Sequence, residues 1–166
     1  MNTFLPEGYQ APVSASGYMK LQDGDNQFRV LSSAITGYEY WTNDNKPVRS
    51  PYPFENTPNI KTVDGKISRV KHFWAFVVWN YATKAVEILE ITQSSIQNAI
   101  SNLVADADWG DPMAYDIKIS RSGAGLETEY AVSPKPAKKI DTEIVAAFGD
   151  KKITLEKLYK SENPFE

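Results

Sequence analysis

Apolar and polar positions alternate over several short stretches of this chain, each bounded by turn-forming residues. Between Gln27 and Ser32, Phe28 and Val30 alternate against Arg29 and Leu31. Gly37 to Trp41 extends that pattern with residues that favour strands. A single long strand over 27–41 is therefore expected, bent near Ser32-Ser33 or at Gly37. Val70 to Trp79 is the strongest strand signal: β-branched, aromatic and flanked by turn residues. Asn80 to Lys84 turns the chain back, and Ala85 to Ile91 is its expected hairpin partner. Thr92 is the expected cap of a helix in which Ile96, Ile100 and Leu103 share one face. Asp106 to Pro112 ends it. Ile117 and Ile119 then alternate against Asp116, Lys118 and Ser120. A Ser-Gly-Ala-Gly turn at 122–125 leads into Thr128, Tyr130 and Val132, completing a second hairpin. After Pro134 and Pro136, residues 141–148 and 154–159 read as two short helices split by Gly149-Asp150.

The order of elements is long bent strand, strand, strand, helix, strand, strand. That is the order of a five-stranded Greek-key barrel of the OB type, whose helix lies between strands 3 and 4. The fold class expected is thus all-β (a β-rich α+β chain), with short C-terminal helices appended. Residues 1–17 read as an N-terminal arm, 18–136 as the OB-fold domain, and 137–166 as a short helical extension. Asn43 to Lys66 is dense in Asn, Asp, Pro and Gly, and reads as a long irregular connection. Loops of such length inside a compact domain tend to carry function.

Composition narrows the chemistry. At 166 residues and 42% hydrophobic, the chain can bury one real core. It has no cysteine, which excludes thiolate zinc sites and disulfide frameworks. Its single histidine, His72, argues against a histidine-based metal centre or a Ser-His-Asp triad. The first residues lack the pattern of a signal peptide, and no apolar run approaches about 18 residues. The expectation is an intracellular, soluble protein, with no membrane contact.

The net charge is −3, yet the charges are segregated. From Lys46 to Lys84 there are seven Lys or Arg and two acids; from Ala85 to Tyr115 there are five acids and no Lys or Arg. The basic stretch also carries the rings of Tyr38, Tyr40, Trp41, Tyr52, Phe54, Phe73, Trp74, Phe76, Trp79 and Tyr81 in and around it. Cations that neutralise phosphates, interleaved with rings on which bases stack, suit a groove for a single nucleic-acid strand. Tyr38 and Tyr40 share a face of the first strand and can stack bases or simply pack; Trp41 is a weaker candidate. On the second strand, Trp74 and Phe76 are assigned to the core. Lys71, Phe73 and Trp79 are assigned to the ligand-facing side, an assignment that can be reversed. Lys46, Arg49, Lys61, Lys66 and Arg69 belong to the long loop and its exit, where they can close over a phosphodiester backbone. Lys118 and Arg121 on the fourth strand can extend the groove.

The stretches Gly17 to Leu21 (GYMKL), Gly24 to Leu31 (GDNQFRVL), Phe73 to Asn80 (FWAFVVWN) and Val86 to Gln93 (VEILEITQ) follow one another in that order. Trp109-Gly-Asp-Pro112, Tyr115 to Arg121 (YDIKISR), Gly123, Gly125, Thr128, Tyr130 and Pro134 complete the series. Together they resemble phage and prophage replication-type single-stranded DNA-binding proteins. The resemblance covers about positions 17–136. It implies an OB-fold and sequence-tolerant binding of single-stranded DNA during phage or prophage replication, in the cytoplasm of a bacterial host cell, with replication proteins as candidate further partners. The residues themselves offer no catalytic constellation, and neither an enzyme nor a cofactor is expected. The chain lacks cysteines for the structural zinc of some relatives. Its 139–166 segment, with six acids and five lysines, is close to neutral.

Two other classes compete. An OB barrel can serve as a protein-interaction module, with the C-terminal helices as docking element. A metal-dependent nuclease would use Asp106, Asp108 and Asp111, although that spacing lacks an EF-hand pattern and reads better as a solvated helix end.

Overall fold

The computed structural model describes residue 4 and residues 17–166. The expected N-terminal arm falls almost wholly outside the described residues. In chain order the strands are β1 (Gly24–Val30), β2 (Ile35–Trp41), β3 (Pro47–Ser50), β4 (Thr62–Val63), β5 (Lys66–Ile67), β6 (Lys71–Asn80), β7 (Ala85–Ile91), β8 (Asp116–Ser122) and β9 (Glu129–Pro134). Helix α1 (Ser94–Ala105) follows β7, and α2 (Thr142–Asp150) follows β9. Short 3-10 turns occupy 112–114, 125–127 and 155–160. The bent first strand forms as β1 and β2. The bend falls at 31–34, where Leu31 donates its N–H to Val77.

One antiparallel sheet runs β3-β2-β6-β1-β8-β9, with β7 on the second edge of β6. Strand β6 is long enough for β2 to pair with its first half and β1 with its last residues along one edge. Residues 17–19 add to the outer edge of β7 through Met19 N–H to Ile88 and Ile88 N–H to Gly17. Pairing stops at β9, so the sheet stays open and does not close into a barrel by hydrogen bonds. The protein is thus β-rich, with a large antiparallel sheet and few helices.

Each face of β6 is buried, and each is covered differently. Side chains alternate across a strand, so Phe76 and Val78 look one way while Phe73, Ala75, Val77 and Trp79 look the other. Phe76 and Val78 join Phe28, Leu89, Ile91, Ile117 and Ile119 under Ile96 and Ile100 of α1. Fully burying each such side chain contributes about 1.5–3 kcal/mol. The opposite side chains, together with Val86 and Ile88, lie under Ile144, Leu155 and Leu158 of the C-terminal segment. Phe73 and Trp79 are therefore corrected from ligand-facing to core: Phe73 is fully buried and Trp79 nearly so. Periodicity marked the face but not its cover, which comes from a segment 65 or more residues away in sequence.

Two local details also differ from expectation. The residue before α1 is Gln93, which makes no side-chain cap. Gln97 instead anchors the helix, donating to the backbone oxygens of Ile91 (2.9 Å) and His72 (3.1 Å). The α2 helix runs through Gly149, and 155–160 winds as 3-10 rather than α-helix.

A buried ion pair ties the sheet to the C-terminal segment. Arg29 and Asp116 face each other in register on β1 and β8, 3.2 Å apart and at most 2% exposed. Arg29 also donates to the backbone oxygens of Met113 (3.0 Å) and Lys138 (2.7 Å). Asp116 accepts from Tyr81 Oη (2.8 Å) and Gln27 Nε2 (3.2 Å), with Lys138 Nζ at 3.2 Å. Burial, then the bond to Asp116, raises the Tyr81 hydroxyl well above its ordinary pKa. A charge stripped of its partner in such a site is strongly destabilising. Asp116→Ala should cost about 3–5 kcal/mol, read as the urea midpoint. The double variant Arg29→Met/Asp116→Leu should recover most of that loss; an additive loss would show that the pair itself supplies the stability.

Candidate nucleic-acid interface

The long connection from 43 to 70 is more ordered than its composition suggests. Strand β3 pairs with β2, and β4 and β5 form a separate two-stranded hairpin. Asp64 and Gly65 at its tip both have positive φ (51° and 76°), as a tight two-residue turn demands. The hairpin is stitched to the end of β2. Lys61 N–H donates to Trp41 O (2.7 Å), and Thr62 N–H to Asn43 Oδ1 (3.0 Å). Lys61 Nζ donates to Asn45 Oδ1 at 2.8 Å. These contacts bring the β2–β3 turn, the hairpin and the start of β6 to one end of the sheet.

Four expected cations lie on the elements joined at this end. Lys46 lies on the β2–β3 turn, Lys66 on the hairpin, Arg69 on its exit and Lys71 at the start of β6. All are exposed, and none has a carboxylate within 4.0 Å among the described residues. Trp41, 42% exposed, stands beside them. Tyr52, 74% exposed, follows β3. Tyr38 is half-buried and faces His72 across the β2–β6 pair, ring centroids 5.3 Å apart. Trp74, also half-buried, continues the same face one step along β6. Trp41 projects to the opposite face from Tyr38, so a ligand reaching both must cross the end of the sheet.

Other candidates are not available there. Tyr40 is buried, packs edge-on against Phe54 and donates to Pro58 O. Arg49 lies between Glu39 (3.2 Å) and Glu90 (2.7 Å) and over the Phe73 ring. Its side chain is only 9% exposed, so its charge is consumed internally. Both are corrected from ligand contacts to structural residues. Lys118 and Arg121 sit on β8, separated from β2 by β6 and β1. Lys118 is 3.8 Å from Asp25; Arg121 is 3.6 Å from Asp23 and donates to Leu21 O. Neither joins the cationic end.

The acids of 85–115 divide by role. Glu87 is buried on Asn80 Nδ2, and Glu90 serves Arg49. Asp106 accepts from Asp108 N–H, and Asp111 from Met113 N–H, as turn caps do. No group of three or more carboxylates and histidines with metal-holding geometry occurs among the described residues. Sequence reading missed the hairpin and the Tyr38–His72 pairing. The Asp64-Gly65 dipeptide was the available signal for the first; nothing local signalled the second.

No protein-family model matches the chain, and no curated protein or solved structure matches it either. No helix among the described residues is long and apolar enough to cross a membrane.

Beneath the cationic end, Glu39 carries a testable charge. Burial, then a hydrogen bond and repulsion from Glu90, push its pKa up to about 8, against a pull from Arg49. The folded state thus holds a proton that the unfolded chain releases above 4.5. Stability from this group is full below that value and is lost as pH rises through about 8. Tm should fall by several degrees between pH 5 and pH 8.5, and Glu39→Gln should flatten the slope; an unchanged slope in the variant would overturn the assignment.

Proposed function

We propose that this protein binds single-stranded DNA, without strong sequence preference, at the cationic end of its sheet. The observation that carries this is that Lys46, Lys66, Arg69 and Lys71 are exposed, without a carboxylate partner among the described residues, on the elements stitched together at the end of the sheet that also holds Trp41 and the Tyr38–His72 pair. Lysines and arginines free of carboxylate partners are available to displace counterions from a phosphate backbone. Exposed rings beside them offer faces on which unpaired bases stack, each worth about 1–3 kcal/mol. Duplex DNA, with its bases already stacked, gains nothing from those rings.

The element order supports an OB-type plan. The bent β1–β2 strand, the β6–β7 hairpin, α1 and the β8–β9 hairpin follow the OB sequence, and β8 lies beside β1. Strand β3 and the β4–β5 hairpin elaborate the first connection, where OB folds commonly place nucleic-acid contacts. Together with the resemblance in residues 17–136, this favours a role in phage or prophage DNA replication, recombination or repair. Binding at equilibrium, rather than bond-making chemistry, is the mechanism.

Titration of labelled oligo-dT at several salt concentrations tests the proposal. Affinity should fall steeply with salt, each phosphate contact adding about 0.7 to the log–log slope. Replacing Lys66, Arg69 and Lys71 together by Ala should cut that slope by about 2 while leaving Tm unchanged. Trp41→Ala should weaken oligo-dT binding by about 1–3 kcal/mol with the slope preserved. Equal binding of duplex, or a slope near zero, would sink the proposal.

A further inference from the structure

A cleft without lysine in its lining lies on the face that Tyr38, His72 and Trp74 share. Between α1 and the 31–34 bend is a cleft of about 530 Å³, lined chiefly by Val30, Trp74, Phe76, Ile100, Val104 and Met113. Its size falls in the range of roughly 300–1,000 Å³ typical of ligand pockets. Val104 and Met113 are exposed although apolar, which leaves part of this surface without a partner in the monomer.

The electrostatics of the cleft select its occupant. No Lys, Arg or His lines it, and Asp111 does. Helix α1 ends beside it with no basic residue in the last turn, so no side chain of that turn offsets the negative end of its dipole. Asp106 and Asp108 follow directly, exposed, and with Asp111 they have no cation within 4.0 Å among the described residues. The Tyr115 hydroxyl registers this field: burial raises its pKa, and Asp111 and Asp106 raise it further. A phosphodiester strand would be repelled here, whereas an apolar group carrying positive charge would be attracted.

We propose that this cleft docks a basic amphipathic peptide segment of a partner protein. Its apolar side chains would enter against Trp74, Phe76 and Ile100, and its Lys or Arg would face the 106–111 acids. This is the mode in which an amphipathic helix lays spaced apolar anchors into a groove. The cleft adjoins the Tyr38–His72 row through Trp74, but it differs from the cationic end in charged lining and in sign of charge, so the proposal does not depend on DNA binding.

The test uses the full chain and a synthetic peptide with Leu at helical spacing and Lys elsewhere. A Leu/Glu counterpart and a scrambled Leu/Lys peptide are the controls. Saturable binding of the first peptide alone is expected, with NMR shifts at the Trp74 indole, Ile100, Val104 and Met113. Asp108→Asn/Asp111→Asn and, separately, Ser101→Lys should each weaken it about tenfold and leave oligo-dT affinity unchanged. Ser101 is exposed on the cleft rim, so the second variant keeps the test valid if the first perturbs the turn. Equal binding of the controls, or shifts outside the cleft, would overturn the proposal. So would shifts of the same residues by oligo-dT alone or by protein concentration alone, which would make the occupant DNA or a second copy.

Discussion

Strand β6 has no solvent face over most of its length, and that constraint shapes everything around it. Seven consecutive residues, Phe73 to Trp79, place apolar side chains on both sides, so two separate covers are needed. Helix α1 supplies one through Ile96 and Ile100. The C-terminal segment supplies the other through Ile144, Leu155 and Leu158. Exposing either face would leave several large side chains in water, at a cost comparable to the whole stability of a domain. The C-terminal segment is accordingly part of the core rather than an appendage. Its attachment is reinforced where Arg29 reaches Lys138 O and where Phe165 packs on Tyr18 and against Gly17.

That double cover also decides where function can reside. Only the first residues of β6, Lys71 and His72, emerge from it. Beyond them the sheet continues as β2 and β3 with the hairpin attached, and there the unpaired cations collect. The cleft beside α1 is a second consequence. The α1 helix covers Phe76 and Val78 but leaves Trp74 half-exposed, next to the acidic turn that ends the helix. Exposed cations and the 106–111 acids thus occupy different margins of one core, so an acidic protein still presents a basic surface.

Charge in the sequence proved a poor guide to charge on the surface. Arg49, Glu39 and Glu90 cancel one another under β3, and Arg29 is held by Asp116. Lys118 and Arg121 each have an aspartate nearby. Of the candidate cations, those without a carboxylate partner among the described residues are Lys71, and Lys46, Lys61, Lys66 and Arg69 of the connection that looked irregular. Its order depends on side-chain amides, Asn43 and Asn45 above all, whose bonds across the chain have no periodic signature.

Alternation and turn chemistry by themselves determined the β6–β7 and β8–β9 hairpins and α1, because each rests on contacts between near neighbours; alternation also marked the bent first strand, whose partners on β6 and β8 it left unnamed. They also placed Phe76 in the core, and located a basic, ring-bearing stretch. Tertiary structure alone decided that Phe73, Trp79, Tyr40 and Arg49 are inaccessible and that Lys46, Lys66, Arg69 and Lys71 stay exposed on elements joined at one end of the sheet. The reason is physical: accessibility is set by what packs on a face, and the covering residues here lie far along the chain, where local pattern carries no information about them.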